Sequence, residues 1–326
     1  MKSLLTIVFI AVMSTAQALA ATAGADPDVA AAPKLLLDGS KLRLASSNVL
    51  VLDAAAGNPI YSKAADAVTP IASVTKLMTA MVVIDAGQPL DEMVTVGIAD
   101  LDLLRGSHSR LRLGSELPRS EMLRLALMSS ENRAASSLAR HYPGGLEAFV
   151  AAMNKKAADL GMIHTHFSDA TGLSSENVST ANEVALMARA AAAYPLIRDA
   201  TTTSSHYVEV QPTGMLLGFN NTNSLVRSGQ WDIQLSKTGF IREAGKCLVM
   251  LTTIASRPIV IVLLDSVGKL TRIGDANRVK YWLETGEAMP VLRAVKGVIK
   301  PKHVTKTAVP RVAGADPLPQ TRLARV

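Results

Sequence analysis

Strand-like segments lie near both ends of the sequence, and a long stretch of helical patterns separates them. Residues 48–52 are followed by a Gly-Asn-Pro turn and a returning segment at 60–62, which predicts an antiparallel hairpin. Three further strand candidates follow Asn220, at 233–238, 247–254 and 259–264. Short turns join them, so they favour antiparallel pairing. The order predicts an α+β fold whose sheet is assembled from both ends of the chain.

The middle of the sequence is mainly helical. Residues 76–84 are apolar on nearly all sides, which indicates a helix buried in the interior. Thr180 and Glu183 have the spacing of a capping box, in which each side chain binds the backbone N–H of the other residue. The other predicted helices span 120–128, 133–141, 146–160, 181–193 and 275–285.

Composition favours a folded chain of sufficient size to bury a large core. The sequence has 326 residues, 48% hydrophobic residues and a mean hydropathy of +0.24, unlike a disordered protein. The single cysteine, Cys247, lies in an apolar run and is predicted to be a small buried hydrophobe. One cysteine allows no internal disulfide.

The N-terminal residues have the pattern of a secretory signal. Lys2 precedes an apolar stretch of ten residues, 4–13, and Ala18-Leu19-Ala20 is a small-residue cleavage site. Ten residues are too few for a membrane span, which needs about 20. We therefore predict a signal peptide at 1–20 and an exported protein that is soluble or peripherally membrane-associated. Cleavage after Ala18 is the alternative. Residues 21–42 are interpreted as a flexible leader.

The basic character of the chain is confined to its C-terminal tail. Residues 293–326 contain eight lysines and arginines and a single acidic residue, Asp316. This segment therefore accounts for the whole net charge of +7. We predict a body at 43–287 and a basic, proline-containing tail at 288–326. Residues 291–300 form a basic amphipathic pattern, which could bind an anionic envelope surface, pack on the body or remain disordered. No nucleic-acid partner is expected for an exported protein.

Three short polar motifs occur in a meaningful order: Ser73-Val74-Thr75-Lys76, Ser130-Glu131-Asn132 and Lys237-Thr238-Gly239. Ser-x-x-Lys occurs again at 266–269, and Ser-x-Asn again at 46–48 and 175–177, whereas Lys-Thr-Gly is unique. The sequence context has to select among the copies.

Ser73 is the better candidate nucleophile because it opens the apolar helix. Lys76 lies about one turn later, and a desolvated lysine is easier to keep neutral. A neutral lysine can take the proton of a serine hydroxyl. The alternative is a capping serine followed by a lysine that extends to solvent. Ser266 follows a strand, and Gly268 interrupts any helix there, so we interpret that copy as a turn.

The second motif falls between two helical patterns and must be a break, a cap or a group directed into a cleft. The copy at 175–177 is interpreted as an ordinary loop, and the copy at 46–48 precedes the nucleophile. The third motif ends an apolar strand, where Gly239 allows a substrate backbone to approach. Lys237 could bind a carboxylate and, by like-charge repulsion, help to keep Lys76 neutral. The alternative is a strand-end lysine before a hairpin glycine.

Together the motifs resemble the active-site motifs of low-molecular-mass penicillin-binding proteins. Residues 127–135, 141–145 and 234–240 resemble the D-alanyl-D-alanine endopeptidase branch, the penicillin-binding protein 7 type. The similarity covers about 45–285. It implies the fold of serine β-lactamases and penicillin-binding transpeptidases, an antiparallel sheet with packed helices and an all-helical subdomain, with the active site at their junction.

The resemblance also implies a role for each site residue. Ser73 would be the nucleophile, Lys76 the general base and Ser130 the proton relay. The substrate would be bound by Asn132, Lys237, Thr238 and Gly239, and the oxyanion by the backbone N–H groups of Ser73 and Phe240.

The implied function is a periplasmic serine D,D-endopeptidase that hydrolyses D-Ala-diaminopimelate cross-links of peptidoglycan and is acylated by penicillin. The alternatives are a D,D-carboxypeptidase and a non-catalytic wall-binding scaffold. Class A β-lactamases carry Glu-x-x-Asn between the second and third motifs, and this sequence has none there, so β-lactamase activity is not expected. No cofactor is expected. His164-Thr165-His166 lacks the helical spacing of a zinc peptidase, so no metal is expected either.

Overall fold

The computed structural model describes residues 37–290. The predicted signal peptide, most of the predicted leader and the tail after Pro290 lie outside the described residues. Residues 37–42, which we assigned to the leader, pack on the body: Leu42 is buried, and the Trp282 indole donates to the Asp38 carbonyl at 3.0 Å. None of the helices within 37–290 combines the length and the apolar character that a membrane crossing requires.

Strands and helices alternate in blocks along the chain. The strands are β1 (Asn48–Asp53), β2 (Pro59–Lys63), β3 (Thr69–Pro70), β4 (Met93–Thr95), β5 (Glu116–Pro118), β6 (Val178–Ser179), β7 (Ser205–Val210), β8 (Met215–Asn220), β9 (Asp232–Ile241), β10 (Gly245–Ile254) and β11 (Arg257–Ser266). The helices are α1 (Lys76–Asp85), α2 (Arg119–Met128), α3 (Asn132–Arg140), α4 (Gly145–Asp159), α5 (Ala181–Ala191), α6 (Pro195–Thr202), α7 (Ser224–Ser228) and α8 (Thr271–Thr285).

The main sheet has five antiparallel strands in the order β2-β1-β11-β10-β9. Its N-terminal and C-terminal strands meet where β1 pairs with β11, with Val49 opposite Leu263. The helical region is inserted between β2 and β9. The predicted α+β fold, with a sheet built from both ends of the chain, is confirmed.

Both faces of this sheet are buried, because apolar side chains alternate between two cores. Along β1, Leu50 and Leu52 belong to the core shared with the helical region, whereas Val49 and Val51 belong to the core beneath α8. Successive side chains of a strand point to opposite faces, so a fully apolar strand supplies both cores. Cys247 is buried in the first core as predicted, and burial raises its pKa to about 11.

The hairpin of β7 and β8 was not predicted, since after the first hairpin we expected strands to return only past Asn220. One face of the hairpin is buried through Val208, Val210 and Phe219, while Tyr207 and Leu216 on the other side are exposed. Exposed apolar residues hide the alternation of polar and apolar positions that identifies a half-buried strand.

The capping box predicted for α5 forms only in part. The Thr180 hydroxyl accepts from the Glu183 backbone N–H at 3.1 Å, as expected. The Glu183 carboxylate instead accepts from the His164 N–H at 2.9 Å and from the Thr165 hydroxyl at 2.6 Å. The glutamate therefore anchors the preceding loop to the helix.

Candidate active site

Ser73 lies in a single 3-10 turn, Ala72–Thr75, directly before α1. Ala72 has φ +48°, a left-handed conformation that costs a non-glycine residue about 1–3 kcal/mol and is common at functional sites. The turn directs Ser73 into a cleft of about 670 Å³ between the helical region and β9. Lys76, the first residue of α1, follows one turn later and lies behind it.

The Lys76 amine is completely buried beside the serine hydroxyl. Its Nζ lies 2.9 Å from Ser73 Oγ and donates to Asn132 Oδ1 at 2.7 Å and to the Thr171 carbonyl at 2.6 Å. Burial lowers the pKa of Lys76 to about 7, against the opposing effects of Asp169, Glu131 and Asp102. A neutral amine has two N–H groups, and Asn132 and Thr171 accept both. Its lone pair is then free for the serine proton.

Burial is the main cause of the low pKa of both active-site lysines. It lowers the pKa of Lys237, which repulsion from Lys76 and then Arg272 lowers further. We predicted that like-charge repulsion from Lys237 would help to keep Lys76 neutral. The repulsion instead lowers the pKa of Lys237, whereas desolvation lowers the pKa of Lys76, because its amine is enclosed by protein on every side.

The second motif is both a helix cap and part of the cleft. Glu131 caps α3 by accepting from the Arg133 N–H at 3.3 Å, and Asn132 is the first residue of that helix. Ser130, with φ +62°, turns the chain between α2 and α3. Its Oγ accepts from Lys237 Nζ at 2.9 Å, so the second and third motifs are in direct contact.

The third motif lies on β9, the edge strand of the sheet that faces Ser73. The strand continues to Ile241, so Lys237 lies within it and not at its end as predicted. A Cβ on Gly239 would lie 2.8 Å from the Ile71 carbonyl oxygen and 3.2 Å from the Ser73 backbone nitrogen. The absence of a side chain is therefore what lets the strand pass against the serine turn.

The remaining predicted residues line the same cleft. The Thr238 hydroxyl donates to the Thr222 hydroxyl at 2.6 Å, and Phe240 is 59% exposed at the rim. The structure thus brings all eight predicted site residues together.

Sequence reasoning missed Arg272 of α8. Its Nη1 donates to the Gly239 carbonyl at 2.8 Å and to the Cys247 carbonyl at 3.2 Å, and the side chain lines the cleft. Its buried Nε has no hydrogen-bond partner among the described residues. No local pattern marks this arginine, because 33 residues separate it from Gly239.

Two of the competing motif copies have structural roles. Asn177, interpreted as part of an ordinary loop, is fully buried; its Oδ1 accepts from the Ser168 N–H at 2.7 Å, and its Nδ2 donates to the Thr75 hydroxyl at 3.1 Å. It therefore supports the serine turn from behind. Ser266, interpreted as part of a turn, is the buried last residue of β11 and lies 2.6 Å from the Ser46 hydroxyl.

The Peptidase S11 family, described as D-alanyl-D-alanine carboxypeptidase, matches residues 37–268. The chain belongs to this family. The S11 chain is 46% identical to the D-alanyl-D-alanine endopeptidase of Escherichia coli strain K12, over 89% of this chain and 94% of that protein. It is 51% identical to the D-alanyl-D-alanine endopeptidase of Pseudomonas aeruginosa, over 78% and 82% of the two chains.

Solved structures agree with this assignment. The S11 chain is similar to the DD-transpeptidase of Streptomyces K15, with a TM-score of 0.70 and 28% identity over 74% of this chain and 98% of that one. A D-alanyl-D-alanine carboxypeptidase from Mycobacterium tuberculosis gives a TM-score of 0.66 at 26% identity, over 78% and 95%. The predicted resemblance and the prediction of a serine-type D-Ala-D-Ala peptidase are confirmed.

Proposed function

We propose that this S11 peptidase is an exported serine D,D-endopeptidase that hydrolyses D-Ala-diaminopimelate cross-links of peptidoglycan through an acyl-enzyme on Ser73. The observation that carries the proposal is the completely buried Lys76 amine, 2.9 Å from Ser73 Oγ, with a pKa of about 7. A base with a pKa near the working pH is suited to proton transfer. Both endopeptidase relatives described above support the choice of substrate.

In the proposed acylation, Ser73 Oγ attacks the D-Ala carbonyl while Lys76 takes the hydroxyl proton. The backbone N–H groups of Ser73 and Phe240 stabilise the developing oxyanion, and removal of one such donor typically costs about 10²–10³ in rate. Gly239 lets these two N–H groups lie on either side of one carbonyl. Ser130, held by Lys237, gives its hydroxyl proton to the leaving amine and is reprotonated by the Lys76 ammonium, so the proton taken from Ser73 ends on the amine. Water then hydrolyses the ester.

The cleft also suits the two ends of such a substrate. The edge of β9 can pair with the substrate backbone, and the Asn132 side chain can bind the amide of the acyl residue. On the leaving side, the carbon that carries the cross-linking amine of diaminopimelate also bears a carboxylate. Thr238 and Arg272 line the cleft and offer this carboxylate a hydroxyl and a cationic partner, and Lys237 Nζ lies 2.9 Å from the Oγ of Ser130, which lines the same cleft. A β-lactam resembles acyl-D-Ala-D-Ala and would acylate the same serine.

Peptidoglycan lies outside the cytoplasmic membrane, so the substrate supports export to the periplasm through the predicted signal peptide. The predicted domain bounds remain part of this proposal, except that residues 37–42 pack on the body and so belong to it. Envelope binding by the basic tail at 288–326 remains a prediction, since residues after Pro290 lie outside the described part of the chain.

Digestion of purified cross-linked muropeptide dimers tests the proposal. We expect conversion to monomers, without prior loss of terminal D-Ala, and no conversion by Ser73→Ala. Release of terminal D-Ala from intact dimers without cleavage would identify a D,D-carboxypeptidase instead. A wild-type protein that neither cuts dimers nor labels with fluorescent penicillin better than Ser73→Ala would be a non-catalytic scaffold.

A further inference from the structure

An ion pair joins the two walls of the catalytic cleft. Arg105 lies in the loop between β4 and β5, on the helical side, and Glu243 lies in the turn between β9 and β10. Arg105 Nη2 is 2.9 Å from Glu243 Oε2, and both side chains line the cavity that contains Ser73. None of the catalytic steps above uses this pair.

The pair lies at the end of the cleft that faces the acyl group. Lys237 and Ser130 mark the side from which the leaving amine departs. Gly239 and Phe240 lie opposite Ser73, so the residues of the sheet edge beyond Phe240 face the acyl side. We call this part of the cavity, lined by 241–243, the donor end.

Hydrogen bonds fix the backbone and the Nε of Arg105, whereas the Nη edge of its guanidinium could bind a substrate group. The Asp102 carboxylate fixes the loop by accepting from the Arg105 N–H at 2.9 Å and the Ser107 N–H at 2.8 Å. Arg105 Nε donates to the Leu173 carbonyl at 2.6 Å. The Nη edge faces Glu243, and the two side chains are 27% and 46% exposed. An exposed pair of this kind contributes little to stability, so opening it costs little.

We propose that Arg105 and Glu243 recognise the free end of the diaminopimelate side chain in the donor stem, with Arg105 binding its carboxylate and Glu243 its ammonium. This inference rests on the proposed function. In a cross-link, diaminopimelate precedes the D-Ala that acylates Ser73, and its free end carries both charges on one carbon. The substrate would therefore replace one exposed ion pair with two.

Neighbouring charges favour the carboxylate part of this contact. Arg242 is exposed at the same end of the cavity, and the Lys246 amine lies 3.9 Å from the centroid of the Phe240 ring. Among the described residues that line the cavity, Glu243 is the single acid. If the donor residue were lysine, its side chain would carry an ammonium but no carboxylate, and the surrounding positive side chains would mainly repel it.

Two cross-linked dimers that differ only in the donor residue, meso-diaminopimelate or L-lysine, test the assignment through kcat/KM. We expect the wild type to prefer the diaminopimelate dimer about tenfold, the value of one charged hydrogen bond at a partly exposed site. Arg105→Gln should remove most of this preference by slowing the diaminopimelate dimer. Arg105→Lys should retain part of it. Glu243→Gln should slow both dimers, because both carry the ammonium.

The exposed pair Lys155–Asp159 on α4 provides the matched control, and Lys155→Gln should retain the wild-type preference. Equal slowing of both dimers by Arg105→Gln would mean that the pair only holds the loop, and this result would overturn the inference. A wild type that labels with penicillin and cuts both dimers equally well would overturn the inference and leave the proposed function intact. Failure of the wild type to label or to cut either dimer would overturn both.

Discussion

At the scale of single residues, the proposed mechanism makes the reactivity of Ser73 depend on the protonation state of Lys76. In that mechanism the neutral amine is the base, and burial lowers its pKa to about 7. The fraction of enzyme with a competent base therefore rises as the pH rises through 7. We expect the rate of penicillin acylation to increase from pH 5 to 9, with a midpoint near 7, in stopped-flow measurements.

A variant of Asn132, the nearest side-chain acceptor of the Lys76 amine, checks this interpretation. Asn132→Asp would place a carboxylate about 2.7 Å from the Lys76 amine and favour its charged form. An opposite charge at this distance raises the pKa of a lysine by about one to three units. The midpoint should therefore move upward by at least about one unit. A rate that does not change between pH 5 and 9 in the wild type would contradict the role of Lys76 as base.

Gly172 tests how closely the loop behind the site is packed. An alanine Cβ there would lie 2.0 Å from the Ala72 carbonyl oxygen and 2.9 Å from the Ser73 backbone nitrogen, at φ +78°. Gly57 has a similar φ of +73° but open space around it. We expect Gly57→Ala to cost about 1–2 kcal/mol of unfolding free energy, from the left-handed conformation alone.

Gly172→Ala should cost at least about 3 kcal/mol, since steric overlap is added to that strain, and it should slow penicillin acylation at temperatures where the variant is folded. Urea unfolding and acylation rates provide both measurements. Equal losses of stability in Gly172→Ala and Gly57→Ala would show that the serine turn has room to move.

At the scale of elements, two residues at the start of α5 have different roles: Thr180 caps the helix, and Glu183 anchors the preceding loop. We expect Thr180→Ala to cost about 1 kcal/mol as the loss of a helix cap. Glu183→Ala should cost more, about 2–3 kcal/mol, because it leaves the His164 N–H and the Thr165 hydroxyl without their charged acceptor. Glu147, an exposed glutamate in the first turn of α4, is the matched control.

Glu147→Ala should cost less than about 1 kcal/mol, the usual contribution of a charge to the helix dipole. Chemical denaturation of the three variants measures the differences. A loss in Glu183→Ala no larger than that in Glu147→Ala would refute the anchoring role of Glu183.

The elements differed in how well their patterns predicted them. Helix α1 and strands β10 and β11 were predicted because burial on all sides leaves a continuous apolar run in the sequence. The hairpin of β7 and β8 was missed because Tyr207 and Leu216 are exposed although apolar. Tertiary contacts, not local periodicity, decide which apolar residues are buried.

At the scale of the whole molecule, one buried carboxylate connects both ends of the fold. Asp275 of α8 is fully buried and accepts from the Ser46 N–H at 2.8 Å and the Ser46 hydroxyl at 2.7 Å, beside Ser266 at the end of β11. We expect Asp275→Ala to cost about 3–5 kcal/mol, because buried donors lose a charged acceptor. In a domain of this size the Tm should fall by roughly 10 °C.

Ser266→Ala is the control for this network and should cost about 1 kcal/mol, the value of one neutral hydrogen bond. It should also leave penicillin labelling unchanged, because Ser266 is buried beside Ser46 and Lys269 is exposed. Calorimetry and penicillin labelling measure the two effects. Loss of labelling in Ser266→Ala would mean that the second Ser-x-x-Lys copy takes part in the site.

By itself, the sequence predicted the α+β class from apolar periodicity and turn residues, and the order of the short motifs along the chain selected among their copies. The roles of the eight residues of the candidate site came from the family resemblance that these motifs carry. The same local reasoning could not assign Asn177, which it placed in an ordinary loop.

Only the tertiary structure decided what surrounds those motifs. The depressed pKa of Lys76 arises from burial. The contact of Lys237 with Ser130 joins residues that are 107 positions apart in the sequence. Segments that are distant in the sequence also bring Arg272, Arg105 and Glu243 to the cleft. Desolvation and electrostatic contacts depend on distances in space, which chain spacing does not specify once a helical region is inserted between the strands of a sheet.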